Sequence, residues 1–185
     1  MARMKLIKRW SLMKSVSDEN IAEHSAQVAQ IAHALAIIKN RMFGGNVNAD
    51  RIASAALYHE ASEVLTGDLP TPIKYYNPEI RKSYKDIEKI ANDKLLSMLP
   101  PELQCDYKEL IEHHHNSYEG RLVKAADKLS AYIKCIEEMR SGNREFAKAE
   151  KTLKKEIEAY FDLPEVKYFC DTFVPTFKKT LDELE

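Results

Sequence analysis

Apolar residues recur every three or four positions along most of the chain, the spacing of a helix with one buried face. Ile21, Val28, Ile31, Leu35 and Ile38 make the first such stripe, on a helix reaching about Asn40. Ser17 or Asn20 can cap it, with Asp18 and Glu19 favourable in its first turn. Phe43-Gly44-Gly45-Asn46 breaks the pattern. A second helix is predicted from about Asn48 to Leu65, where Ile52, Ala56, His59 and Glu63 follow one another at i, i+4, i+7 and i+11. Its inward face therefore turns polar toward the C-terminal end. Gly67 to Pro72 reads as a rigid turn, with two prolines fixing φ and Asp68 suited to the turn start.

Pro78 opens a third helix to about Leu99, with Ile80, Tyr84, Ile87, Ala91, Leu95 and Met98 expected inward. Pro100-Pro101 stops it, and Pro101 starts a fourth that ends near His115. A fifth runs from about Glu119 to Arg140 on Leu122, Ala126, Leu129, Ile133 and Ile136, with Asp127 at the edge of the stripe. Two more, about 144–161 and 165–184, carry Phe146, Ala149, Leu153 and Ile157, then Val166, Phe169, Phe173 and Phe177. Pro175 should kink or interrupt the last. About seven helices with short connections define an all-α bundle, and 185 residues without a low-complexity linker make one domain, 1–185.

The polar residues on these stripes demand a reason, because burying a histidine or carboxylate without a partner is costly. His24 sits between Ile21 and Val28; His59 and Glu63 lie on the second inward face; Asp127 borders the fifth. A core histidine bonded to a buried carboxylate would satisfy each pair. A divalent ion would satisfy all of them at once, since two histidines and two carboxylates can hold one metal with positions left for water. His59 and Glu60 are adjacent, about 100° apart around a helix, so they share an ion only if it sits between their directions. His113, His114 and His115 point three ways around a helix and cannot easily share one; they suit a helix C-terminus.

The bulk numbers narrow the class further. A net charge of -1 and a pI near 6.6 give no reason to expect a duplex nucleic-acid partner. No stretch approaches the ~20 apolar residues that span a bilayer, so no membrane is expected. Cys105, Cys135 and Cys170 are odd in number and lack CxxC spacing, which suits reduced thiols. With no apolar run for a signal peptide at the start, the expected location is cytoplasmic.

A histidine in the first long helix, an adjacent histidine-acid pair in the second and a later aspartate resemble the HD-domain metal phosphohydrolases. The likeness extends to longer segments: Leu6 to Met13, Glu23-His24-Ser25, Lys39 to Asn48, Tyr58 to Pro72 and Leu122 to Asp127. These look like the bacterial 5'-deoxynucleotidases of the YfbR type, over nearly the whole chain. The resemblance implies a homodimeric HD-domain helical bundle that hydrolyses deoxyribonucleoside 5'-monophosphates to deoxynucleoside and phosphate. It implies one divalent metal, cobalt, manganese or another transition metal, at His24, His59, Glu60 and Asp127, three of which (His24, Glu60, Asp127) also border the substrate. It implies that Arg9 orients the phosphate, that Trp10 lines the deoxyribose, and that the turn Asp68-Leu69-Pro70-Thr71 contacts the sugar. One position departs from the pattern: the family has Asp where this chain has Glu60. The extra methylene moves the carboxylate outward, so the second helix must shift or Glu60 bend, with weaker metal affinity or altered preference expected.

Glu63, one turn beyond His59, is the candidate general acid or else the group that positions the water; the other reading is a structural carboxylate that orients His59. Lys124 and Lys128 flank Asp127 on what reads as a solvated face. Two other functions fit the same residues: an HD phosphohydrolase for another nucleotide phosphate, and a non-catalytic helical regulator or ligand-binding module.

Overall fold

Asn20 starts the first long helix. Its side chain accepts the Ala22 and Glu23 amides at 3.0 and 3.1 Å, and Glu23 returns a bond to the Asn20 amide at 3.2 Å, a closed capping box. The computed structural model describes residues 1–74, 76–112 and 117–183; His113, His114 and His115 lie outside the described residues. The helices are α1 (Ile21–Met42), α2 (Ala49–Tyr58), α3 (Glu63–Thr66), α4 (Thr71–Lys74), α5 (Pro78–Ser97), α6 (Pro101–Ile111), α7 (Tyr118–Arg140), α8 (Ala147–Glu158) and α9 (Pro164–Thr172). Tight 3-10 turns cover Ala2–Leu6, Arg144–Phe146, Val174–Lys178 and Leu181–Glu183. Among the described residues there is no strand, only one bridge between Lys8 and Asn20.

The two longest helices, α1 and α7, pack together at the centre; α2 and α9 cover α1, and α8 covers α7. The expected stripes are buried here: Ile21, Val28, Ile31, Leu35 and Ile38 on α1, and Leu122, Ala126, Leu129, Ile133 and Ile136 on α7. Phe146, Leu153, Ile157, Val166 and Phe169 close the same core, and Ala149 packs partly buried against it. A smaller cluster of Ala61, Leu96 and Ile111 lies apart from it.

Four expectations are corrected. The second helix is not continuous to Leu65: it ends at Tyr58, and α3 follows after a tight turn. The Ala56 carbonyl, which an α-helix would give to the Glu60 amide, is taken instead by the His59 amide at 3.4 Å and the His59 ring at 2.6 Å. The following amides then bond three residues back, Ala61 to Tyr58 and Glu63 to Glu60. Ile87 and Met98 are exposed rather than inward, because α5 is covered on one side only, by α3, α4 and α6. Phe173 is 39 % exposed, since α9 stops at Thr172 and Pro175 turns the chain into a 3-10 turn. Glu19 precedes the helix instead of charging its first turn, because Asn20 and not Ser17 is the cap.

The amino-terminal segment folds back on α1. The Arg9 amide donates to the Glu19 carbonyl at 2.9 Å and the Ile21 amide to the Ile7 carbonyl at 3.0 Å, closing residues 10–18 into a loop. A second tether holds that loop at α7. Glu138, 1 % exposed, accepts from the Val16 amide at 2.8 Å and the Ser17 amide at 3.2 Å and pairs with the buried Lys134. Lys134 in turn donates to the Ser17 carbonyl at 2.6 Å. No helix among the described residues is long and apolar enough to cross a membrane.

Candidate metal centre

His24, His59, Glu60 and Asp127 converge from α1, the turn after α2, and α7. One ligand atom from each lies within 4.8 Å of all the others. His24 Nε2 is 3.2 Å from Asp127 Oδ1, and His59 Nε2 is 3.4 Å from Glu60 Oε1. The two rings are tilted, with centroids 5.4 Å apart. The break after α2 makes this possible. Tight winding turns His59 and Glu60 toward α1 and α7 together, and Glu60 reaches the set despite its longer side chain.

The donor set fits a divalent transition metal. Two imidazoles and two carboxylates suit such an ion, and His59 is prepared for it. Its Nδ1–H donates to the Ala56 carbonyl, which leaves Nε2 with a lone pair. That Nε2 is buried without a hydrogen-bond partner. His24 is held differently. Its Nδ1 lies 2.8 Å from Arg9 Nη1, 3.1 Å from Ser130 Oγ and 3.5 Å from Glu19 Oε1. Ser130 gives its own hydrogen to Gln27 Oε1 at 2.6 Å, so a protonated Nδ1 has acceptors in Ser130 Oγ and Glu19 Oε1, whereas an unprotonated Nδ1 accepts from Arg9 Nη1, which can only donate.

The electrostatics follow the geometry. Burial pushes the His59 imidazole below its ordinary range, so the ring stays neutral. Burial and the Arg9 charge would lower His24, but its bonds to Asp127 and Glu19 outweigh them and raise it. Burial would raise Asp127, yet the His24 bond, Lys124 and both imidazoles hold it well below the carboxylate range. Burial and the Asp127 carboxylate push Glu60 up, but the neighbouring His59 ring and the hydrogen bond with Glu63 outweigh them and lower it. Burial, and then the Glu60 carboxylate beside it, push Glu63 up to about 10.

Glu63 is buried against Glu60, with one carboxyl oxygen unpartnered. Arg9, Trp10, Asp68 and Pro70 line one cavity of about 190 Å³. Leu69 is half-buried and does not line it, and Thr71 opens α4. A separate cavity of about 350 Å³ is lined by His59, Glu60 and Asp127 together with Lys74, Arg81 and Lys124. Lys124 lies 3.9 Å from Asp127, whereas Lys128 pairs with Glu156 at 2.8 Å. The sequence reading did not single out Glu19, Gln27 or Ser130. Ser130 follows Asp127 by three positions on α7 and is fully buried, the same signal that marked His24.

The helical bundle with this histidine-carboxylate set is that of the HD-domain phosphohydrolases. An HD-domain phosphohydrolase of Listeria innocua superposes with a TM-score of 0.85 at 26% identity, over 95% of this chain and 85% of that one. The cyanophage S-2L HD phosphohydrolase, described as bound to dA and one catalytic Zn2+, shares the fold at a TM-score of 0.66 and 20% identity, over 97% and 95%. Residues 1–177 match the 5'-deoxynucleotidase YfbR-like family, and the chain belongs to it. A 5'-deoxynucleotidase of Vibrio vulnificus (strain YJ016) is 57% identical over all of this chain and 95% of its own length. One from Yersinia pestis (strain Pestoides F) is also 57% identical, over 100% and 93%.

Proposed function

We propose that the protein is a metal-dependent 5'-deoxynucleotidase that cleaves deoxyribonucleoside 5'-monophosphates to deoxynucleoside and phosphate. The observation that carries this is the buried, unpartnered Nε2 of His59 inside a ring of three further donors. His24, His59, Glu60 and Asp127 would hold the ion. When bound, it supplies a water of lowered pKa and polarises a phosphate oxygen.

The chain's own groups do the rest. Arg9 is the phosphate ligand: its planar fork matches phosphate oxygens, and it reaches within 2.8 Å of His24. Charge that grows on the equatorial oxygens of phosphorus needs such a fixed cation. Trp10 and the Asp68-Leu69-Pro70-Thr71 turn hold the sugar, Trp10 as a wall against a 2'-hydroxyl and Asp68 as an acceptor for the 3'-hydroxyl. Their support is the cavity that Arg9, Trp10, Asp68 and Pro70 share. Glu63 protonates the leaving 5'-oxygen or positions the water; its place one tight turn after Glu60, buried and half unpartnered, supports that role.

The functional unit is a homodimer in the cytoplasm. Ile87, Ile90 and Phe173 are apolar side chains left exposed for a second copy, and all three cysteines are free thiols. Phosphate release from deoxy- and ribonucleoside 5'-monophosphates, with metal removed by chelation and then restored as cobalt, manganese or zinc, tests the reading. Metal-dependent release that favours the deoxy series supports it; release unaffected by chelation, or confined to di- and triphosphates, refutes it.

A further inference from the structure

One carboxylate outside the ring of four donors gathers the polar hydrogens of the nucleotide-facing residues. Glu19 Oε2 accepts from Arg9 Nη1 at 3.0 Å and from Trp10 Nε1 at 2.9 Å, and Oε1 lies 3.5 Å from His24 Nδ1. The arrangement is largely shielded from water, with side chains of 11 % exposure for Glu19 and 15 % for Arg9. The Arg9 guanidinium also stands 5.8 Å from the Trp10 ring centroid.

Trp10 is held against a backbone preference. Its φ is +57°, the one positive value at a non-glycine position among the described residues. A bulky side chain rarely occupies that region, and it persists only where the surroundings fix it. Besides the Arg9 guanidinium, it is held by the Met13 amide on the Trp10 carbonyl at 2.8 Å, the Phe146 ring at 5.2 Å, and Glu19. Only Glu19 also reaches Arg9 and His24.

We propose that Glu19 is the positioning residue that locks Trp10 and Arg9 into one fixed relation, and so sets the discrimination against ribonucleotides. This rests on the reading of Arg9 and Trp10 given above. An apolar wall rejects one added hydroxyl by only about a hundredfold, and a displacement of about 1 Å loses that much. An indole free to swing would not reject it. Glu19 fixes the indole by its N–H, through the same oxygen that fixes the phosphate fork. The guanidinium has five N–H donors and these contacts use only Nη1, so the Nε–H and Nη2 edge remains for phosphate.

The test compares wild type with Glu19→Ala and Glu19→Gln. Two readouts are taken: the kcat/KM ratio of 2'-deoxyadenosine to adenosine 5'-monophosphate, and the fluorescence of Trp10, the chain's single tryptophan. With metal content unchanged, Glu19→Ala is expected to lower the ratio roughly tenfold, shift emission to the red and steepen acrylamide quenching. Glu19→Gln, which keeps one acceptor for the indole, should fall between. In a Trp10→Ala background, removing Glu19 should no longer change the ratio. An unchanged ratio and unchanged quenching in a metal-bound Glu19→Ala protein overturn the proposal, as does a further loss in the Trp10→Ala background. If Glu19→Ala does not fold, Glu19→Gln decides by the same two readouts. A Trp10→Ala protein with an unaltered ratio would refute the sugar-wall reading itself, while quenching in the proteins that keep Trp10 still reports whether Glu19 holds the ring.

Discussion

Replacing Glu138 by Gln should cost about 3 kcal/mol of stability, a figure that follows from the contacts of its buried carboxylate. Glu138 pairs with Lys134 at 1 % and 5 % side-chain exposure and also accepts from the Val16 and Ser17 amides and from Asn143 Nδ2 at 2.8 Å. Removing one partner of a buried pair leaves the other charge uncompensated, at a cost of about 3–5 kcal/mol. The same Lys134 bond and loop amides outweigh burial and hold the Glu138 carboxyl at about 2, against an ordinary 4.5. The difference corresponds to roughly 3 kcal/mol. The sign is fixed: a lowered carboxyl stabilises the fold above pH 4.5, and that stability is lost as pH falls from there toward 2. Urea unfolding of metal-free protein at neutral pH should therefore show Glu138→Gln less stable by that amount, and thermal unfolding should show a midpoint lower by on the order of 6–12 °C. Below pH 4.5 the two curves should converge. A loss under about 1 kcal/mol at neutral pH, the worth of an exposed pair, or curves that stay parallel into acid would refute the reasoning. Because the pair tethers the loop that begins at Trp10, kcat/KM should fall as well.

Three other outcomes follow from the site. Glu60→Asp should change the metal titration curve of activity, toward tighter binding or a different preferred metal; an identical curve would show the extra methylene to be silent. Ser130→Ala removes an acceptor for His24 Nδ1 and should weaken metal binding about tenfold, which titration calorimetry checks; unchanged affinity would mean that Glu19 alone suffices. Phe146→Ala empties a fully buried position against Trp10, and should cost about 3–5 kcal/mol in denaturant unfolding together with a red-shifted Trp10 emission.

The parts of the site that could be read from the sequence were polar residues on apolar stripes. His24 on α1 and Asp127 on α7 sit on or beside helix faces whose period is regular, so the burial of their neighbours places them. His59 and Glu60 were recognisable as chemistry but not as geometry. A strict helix would have separated their directions, and the turn that brings them together arises because the His59 ring competes for the Ala56 carbonyl. Glu19 was hidden for a different reason. Its partners arrive by a chain reversal that pairs residues 7–9 with 19–21, which no local pattern encodes. Only the spacing of Asn20 and Glu23, a capping box, hints that Glu19 stands outside the helix. Lys134 and Glu138 look like an ordinary surface i, i+4 pair, and their burial comes from the same returning loop. On α5 the apolar residues lie on two faces, and only the face toward α3, α4 and α6 is covered, so Ile87 and Met98 were misplaced.

The claim on which the rest depends is that four side chains hold one ion. Diffraction from crystals soaked in manganese or cobalt, with the ion located by its anomalous signal, tests it most directly. One peak is expected, about 2.0–2.2 Å from the ligand atoms of His24, His59, Glu60 and Asp127, and absent from crystals of His59→Ala. An empty cluster in fully active crystals, or a peak that survives the loss of His59, would contradict the account.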